Sequence, residues 1–407
     1  FKNKTEDSYE TCIKKINELI ATSTRKRFFS NVTNGVFLSG GLDSSTLSYQ
    51  LNNIENDNFD AHNIAFKEVD FDEYRDAKII SDFFNVNLFS YNIPIADQLA
   101  NEFPNIVEAM DQPMSDTSFI ATYYLSKFSS KKSKMVLSGD GADELFCGYD
   151  TFIADKFRNF FPKIKFKLNL IPNILNYLFK SKVSKVGINY KINKFINGVS
   201  HEKNHSHVLW REIFTLFEKK KIIKSDHYKH MNYNFLNYID EQNKLVADLN
   251  YIDRYLYIDL KTWLPNDILY KIDRSTMYNS QEARVPFLDS KLVEYSSSLP
   301  VKSKLNFFKR KRILRDAMAN KLPNKTLFKK KSGFNSPIGV WLQETGKFKE
   351  MSYYLIKTKK MQNIFNTDEI EKIWKSHQDN KFDESFKIFN LMCLSQWLEN
   401  NSLSGNL

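Results

Sequence analysis

Cysteine is scarce in this chain: Cys12, Cys147 and Cys393 are the three among 407 residues. An odd, widely spaced set excludes a disulfide framework and points to a reducing compartment. No apolar stretch approaches the roughly 20 residues needed to cross a bilayer. The start carries no secretory-leader pattern. These absences lead to the expectation of a cytoplasmic protein with no membrane partner. Acidic residues are missing from one segment. Between Lys156 and Ser200 there are ten lysines and arginines and no aspartate or glutamate, so this segment holds nearly all of the net charge of +11. Aromatic residues interleave with those cations, a composition that can bind RNA. The rest of the chain is close to balanced, which favours helices with a solvated lysine face over a nucleic-acid partner. The first residue is Phe1, so the chain is expected to be either processed or a piece of something longer.

What is present is a globular composition, with 42% hydrophobic residues. Apolar strand candidates at Gly35–Leu38, Ala61–Phe66, Asn87–Ile93 and Lys134–Leu137 alternate with helical stretches, notably Ser44–Asn52 and Tyr74–Phe84. That alternation predicts an α/β fold with a doubly wound parallel sheet, whose ligands bind at the strand C-termini. Beyond about Thr151 the strand signal fades. Ile171–Phe179, His207–Lys221, Asp253–Leu264 and Thr367–Ser376 show the three- and four-residue apolar spacing of helices. The expected division is an α/β core over residues 1–150, a basic helical insertion over 151–250 and a helical region over 251–407. His201, His205, His207, His227 and His230 cluster in sequence but lack partners at zinc-ligand spacing, so exposed histidines are expected there.

The most informative stretch is Ser39-Gly40-Gly41-Leu42-Asp43-Ser44-Ser45, directly after an apolar strand and opening a helix. Gly40 and Gly41 would leave backbone N–H groups facing open space, an anion cradle to which Ser39, Ser44 and Ser45 add hydroxyls. No lysine follows in the Walker-A position, which suits pyrophosphate better than a transferable γ-phosphate. Asp43 would repel phosphate unless a divalent cation bridged the two, so it reads as a magnesium (Mg2+) ligand. An ordinary strand-to-helix turn is the competing reading. A second strand meets a second turn at Ser138-Gly139-Asp140-Gly141-Ala142-Asp143-Glu144, with three carboxylates in five residues. Grouped carboxylates are costly to desolvate unless a metal or an ammonium-like species sits among them. Otherwise Asp140 and Asp143 would serve to charge-stabilise the helix that starts near Ala142.

Two further segments follow, Leu264–Arg274 continuing to Glu282-Ala283-Arg284-Val285-Pro286-Phe287-Leu288-Asp289, and Lys329–Gly339. The Ser39–Ser45 run resembles the signature of the PP-loop ATP pyrophosphatases. The four segments in this order resemble the synthetase half of the class B, glutamine-dependent asparagine synthetases, over roughly Ser8 to Leu342. The resemblance implies a PP-loop fold with ATP as substrate. It also implies Asp43 and Asp143 as magnesium ligands, and Leu38, Ile64, Ser138 and Gly139 as the nucleotide lining. Lys331 corresponds to the lysine that offsets phosphate charge during adenylation. Asp140 stands where many members carry a glutamate that acts on ammonia.

The implied reaction joins aspartate, ATP and ammonia into asparagine, AMP and pyrophosphate through β-aspartyl-AMP. The family's glutaminase domain begins with a nucleophilic cysteine that this chain does not have. Such a domain is therefore expected to be removed, separate or replaced by another nitrogen source. Related chemistry stays open: amidation of a sugar acid, closure of a β-lactam or peptide ring, or tRNA modification. A homodimer also stays open.

Overall fold

The computed structural model describes residues 1–29, 31–55, 59–160, 188–231, 235–330 and 333–401. The expected helix at 171–179 and Lys331 lie outside the described residues, as does much of the basic segment. Two compact units divide the chain: one comprises Phe1–Ile93, Ala121–Lys156 and Asn243–Phe334, the other Pro94–Ile120, Phe157–Gln242 and Asn335–Leu407.

The first unit is built on a five-stranded, all-parallel sheet. Its strands are β1 (Asn34–Phe37), β2 (Asp60–Ala65), β3 (Asn87–Asn92), β4 (Met135–Leu137) and β5 (Glu282–Arg284), in the order β3-β2-β1-β4-β5. The chain winds outward from β1 to β3, then restarts at β4 on the other side of β1. This is the doubly wound arrangement expected from the sequence, and its switch point lies between β1 and β4. The register sets Gly35 opposite Asp60 and Val136, and Leu137 opposite Arg284. Strand β5 is an addition to the four expected strands.

The helices follow from amphipathic spacing. In α1 (Tyr9–Phe28), Ser8 caps the N-terminus by accepting the Thr11 N–H, and Cys12, Ile16 and Ile20 are buried at helical spacing. Ser23 Oγ donates to the Pro286 carbonyl at 2.5 Å and Arg27 pairs with Asp289 at 3.0 Å, so α1 is tied to the Arg-Val-Pro-Phe-Leu-Asp segment. Helix α2 (Leu42–Glu55) buries Leu47 and Leu51, and α3 (Tyr74–Phe84) buries Ala77, Ile80 and Phe84. Asn85 ends α3 in the left-handed conformation, φ 52°, which asparagine tolerates better than most residues. With Val36 and Leu137 from the strands and Leu38 just beyond β1, these side chains make one core. Cys12, Cys147 and Cys393 are all free and buried.

Among its described residues the second unit is helical. In it α4 (Ala96–Ala109) contributes Leu99, Phe103 and Ile106 to a core shared with the helices Lys347–Leu355 and Ser385–Asn401. Phe389 packs against Phe103 at 6.2 Å and Phe119 at 5.7 Å between ring centres. Two helices, Lys203–Leu209 and Leu216–Ile222, replace the single one expected over His207–Lys221. The break is enforced by a reciprocal cap in which Thr215 and Glu218 each bond the other's backbone. The histidines there are not uniformly exposed. His207 is fully buried and His205 Nε2 lies 2.7 Å from Asp240, whereas His227 and His230 are exposed. Among the described residues no helix is long and apolar enough to cross a membrane.

Candidate functional site

Both Ser-Gly turns expected from the sequence leave the C-terminal ends of β1 and β4, the adjacent strands that flank the switch point. Leu38 is fixed by its neighbour, donating its N–H to the His62 carbonyl at 2.8 Å and accepting from Asn63 Nδ2 at 2.9 Å. Leu38 and Ile64 are buried, and the Ser138 N–H bonds the Arg284 carbonyl at 2.9 Å. Gly40 turns the chain with φ +66°, and a methyl group on it would fall 2.2 Å from the Asp76 carbonyl carbon. Glycine is therefore required twice, by conformation and by the close approach of α3.

The turn is internally bonded. Ser39 Oγ accepts the Gly41 N–H at 3.2 Å and lies 3.1 Å from Ser44 Oγ, and Ser44 Oγ reaches the Gly41 carbonyl at 3.3 Å. The Gly41 N–H is thus occupied by a serine hydroxyl and does not face open space as the sequence suggested. The short serine side chain closes back on its own backbone. Ser45 Oγ is buried, with no hydrogen-bond partner among the described residues.

The second turn abuts the first. A Cβ on Gly139 would sit 3.1 Å from both Asp43 Cβ and the Ser44 nitrogen. Asp140 accepts a 2.6 Å bond from Ser138 Oγ, which holds its carboxylate at the turn. The short helix Ala142–Phe146 carries Asp143 and Glu144. Asp143 faces Asp43, and one group joins them: Lys311 Nζ lies 2.7 and 2.6 Å from the Asp43 oxygens and 2.5 Å from Asp143 Oδ1. Glu144 is buried behind this pair and accepts from Tyr149 Oη at 2.5 Å. Burial, reinforced by the charge of Asp143, pushes the Glu144 carboxyl up to about 8.

The basic run at Lys329 is anchored to the first turn. Lys329 Nζ pairs with Asp76 at 2.8 Å and Glu73 at 3.8 Å and lies 3.5 Å from the Ser39 carbonyl. Burial alone would raise the Asp76 carboxyl, but Lys329 and Lys325 together outweigh it and hold the group below the usual range. Lys331, the residue singled out in sequence, lies outside the described residues.

The structure therefore brings together Ser39 to Ser45, Ser138 to Asp140 and Asp143. It adds Lys311, Glu144, Lys329 and Asp76, which sequence reasoning missed. Lys329 reads as the first of a lysine run and Lys311 carries no signal of its own in the sequence; the three-carboxylate cluster was the one signal for Glu144. Two converging carboxylates suit a hard cation, and magnesium commonly takes one or two carboxylates and completes its shell with water and phosphate oxygens. The oxygen donors of Asp43 and Asp143 fit that requirement. Among the described residues no third histidine, cysteine or carboxylate joins them in a metal-binding group.

Comparison with known proteins identifies relatives along most of the chain. The chain is 28% identical over 391 residues to the glutamine-hydrolyzing asparagine synthetase 1 of Bacillus subtilis, covering 95% of this chain and 59% of that protein. It is 24% identical over 372 residues to amidase chyE of Penicillium rubens, covering 82% and 54%. The glutamine-hydrolyzing asparagine synthetase 3 of Bacillus subtilis is 23% identical over 395 residues, covering 90% and 56%. The chain thus spans somewhat more than half the length of the curated relatives it matches. The family model for asparagine synthase matches residues 15–399, a span that contains both turns, Lys311 and the Lys329 segment, and the chain belongs to that family.

Proposed function

We propose that this chain is an ATP-dependent, amide-forming ligase that makes asparagine. The observation that carries the reading is the convergence of two strand-terminal turns, which brings Asp43 and Asp143 to one cation position beside the serine-rich turn. The β-carboxylate of aspartate attacks the α-phosphorus of ATP, giving β-aspartyl-AMP and pyrophosphate. Ammonia then displaces AMP. Carboxylates are poor acyl donors at neutral pH, and adenylation supplies the leaving group. Asp43 and Asp143 would hold magnesium, which when bound neutralises phosphate charge. Ser39, Gly40, Ser44 and Ser45 cradle the pyrophosphate portion, and Gly41 joins them when a phosphate oxygen replaces Ser39 Oγ on its N–H, while Leu38, Ile64, Ser138 and Gly139 line the nucleotide. Lys331 offsets charge on the transferring phosphate, and Asp140 faces the incoming ammonia.

Incubation with ATP, Mg2+, ammonium and aspartate should give AMP, pyrophosphate and asparagine. Aspartate alone should support exchange of labelled pyrophosphate into ATP. ADP and orthophosphate as products would refute the reading. Ammonium is supplied directly, so the test does not depend on any glutaminase. One fungal relative is named an amidase and not an asparagine synthetase, and mass spectrometry of products from other carboxylic acids in place of aspartate tests a second acceptor class.

A further inference from the structure

Lys311 is placed by a constrained stem. The residue is buried, its backbone is left-handed at φ 49°, and its N–H donates to the Phe146 carbonyl at 3.1 Å. Cys147, the residue after Phe146, is also left-handed at φ 56°. Gly148 lies flat against the contact: a Cβ there would fall 2.2 Å from Lys311 Cε and 1.7 Å from Asp143 Oδ1. Two non-glycine residues in a disfavoured conformation and a glycine with no room for a side chain all serve one result. The ammonium reaches both carboxylates at hydrogen-bond distance.

We propose that Lys311 is the protein's own counter-ion for this pair, holding the cation position until nucleotide arrives, so that the divalent metal enters with the nucleotide and not before it. The inference rests on the reading of Asp43 and Asp143 as metal ligands. Two carboxylates facing each other with little water repel strongly, and one ammonium between them removes most of that repulsion. A metal ion entering the nucleotide-free protein must displace this ammonium and gains no phosphate oxygens in return. Nucleotide reverses the balance, because its phosphates bring more negative charge to the adjoining turn and offer ligands to a divalent ion. One positive charge then no longer suffices, and the exchange becomes favourable.

The test uses the full chain and Mn2+ as probe, with free Mn2+ followed by electron paramagnetic resonance, with and without α,β-methylene-ATP. Without the analogue, Lys311→Met should bind Mn2+ at least about tenfold more tightly than wild type, while Lys311→Arg should stay as weak as wild type. Equal nucleotide-free affinities in wild type and Lys311→Met overturn the proposal, provided Asp43→Asn abolishes the analogue-dependent site. If Asp43→Asn leaves analogue-dependent binding unchanged, the metal-ligand reading fails, and the proposal with it. Should Lys311→Met not fold alone, recovery of its melting transition by Mn2+ supports the proposal. Wild type that binds Mn2+ as tightly without the analogue as with it overturns the proposal without any variant.

Discussion

Lowering the pH from 7 to 5 should weaken the α/β unit through one side chain, His62. This residue lies in β2 with no exposed surface, its Nε2 2.7 Å from Ser133 Oγ and its Nδ1 3.3 Å from Tyr91 Oη. Its ring stacks on Phe89 and Tyr91, and Gly35 on the neighbouring strand leaves just enough room, since a Cβ there would fall 2.8 Å from Nε2. Burial, with Lys132 nearby, depresses the imidazole from 6.5 to about 4. Between those values the unfolded chain takes up a proton that the folded chain refuses. Stability therefore rises with pH across that window, is complete above pH 6.5 and is lost as pH falls towards 4. Fully expressed, the effect is roughly 3 kcal/mol, of which about 2 kcal/mol is gone by pH 5. Urea denaturation of wild type and His62→Gln at both pH values isolates it, because the other titrating groups cancel in the difference. Equal losses in the two proteins would refute the argument, as would an imidazole resonance that titrates near 6.5.

Three further outcomes follow from packing and charge. Gly40→Ala combines φ +66° with a methyl 2.2 Å from backbone, which should cost roughly 3 kcal/mol; a loss under about 1 kcal/mol in thermal or urea unfolding would contradict the geometry. Lys329→Met should lower kcat/KM for ATP about tenfold and Lys329→Arg should restore most of it, since the clamp on Asp76 and the Ser39 carbonyl needs a cation; steady-state kinetics that are equal for Met and Arg would rule out the clamp. Lys304 is fully buried, and burial lowers its ammonium to about 8. At pH 7 it is charged in both states and the desolvation cost stands in full, so Lys304→Met should stabilise the protein by about 1–3 kcal/mol; urea unfolding that shows no gain would mean its charge is better compensated than its surroundings indicate.

The sheet was legible where the chain is locally consistent. Val36 to Leu38 and Met135 to Leu137 are apolar runs that stop at Ser-Gly turns, Ala61 to Phe66 sets buried His62 and Asn63 among apolar residues, and the four expected strands match the observed ones to within one residue at each end. Tyr74–Phe84 was bounded at both ends, because amphipathic spacing stops where Asn85 turns left-handed. Strand β5 was not legible: Glu282-Ala283-Arg284 has no strand propensity, and β4 alone recruits it through backbone bonds. The break at Thr215 was written in the sequence as a Thr-x-x-Glu cap, but continuous apolar spacing across it concealed the signal.

The site divides along the same line, between what neighbours in sequence can specify and what only the fold can. Ser39 to Ser45 and Ser138 to Asp143 are contiguous, so their chemistry could be read as turns. Their counter-ion comes from the run Lys309-Arg310-Lys311-Arg312, whose composition describes a solvated face. In the fold each member goes elsewhere: Lys309 to Asp316 at 2.8 Å, Arg310 to Asp150 and the Gly148 carbonyl, and Arg312 over the Tyr9 ring at 4.3 Å. Lys311 alone turns inward, because its left-handed backbone points its stem towards Gly148 and the two carboxylates. Composition sets how many cations a segment carries. Backbone conformation at one residue decides which of them becomes part of the site.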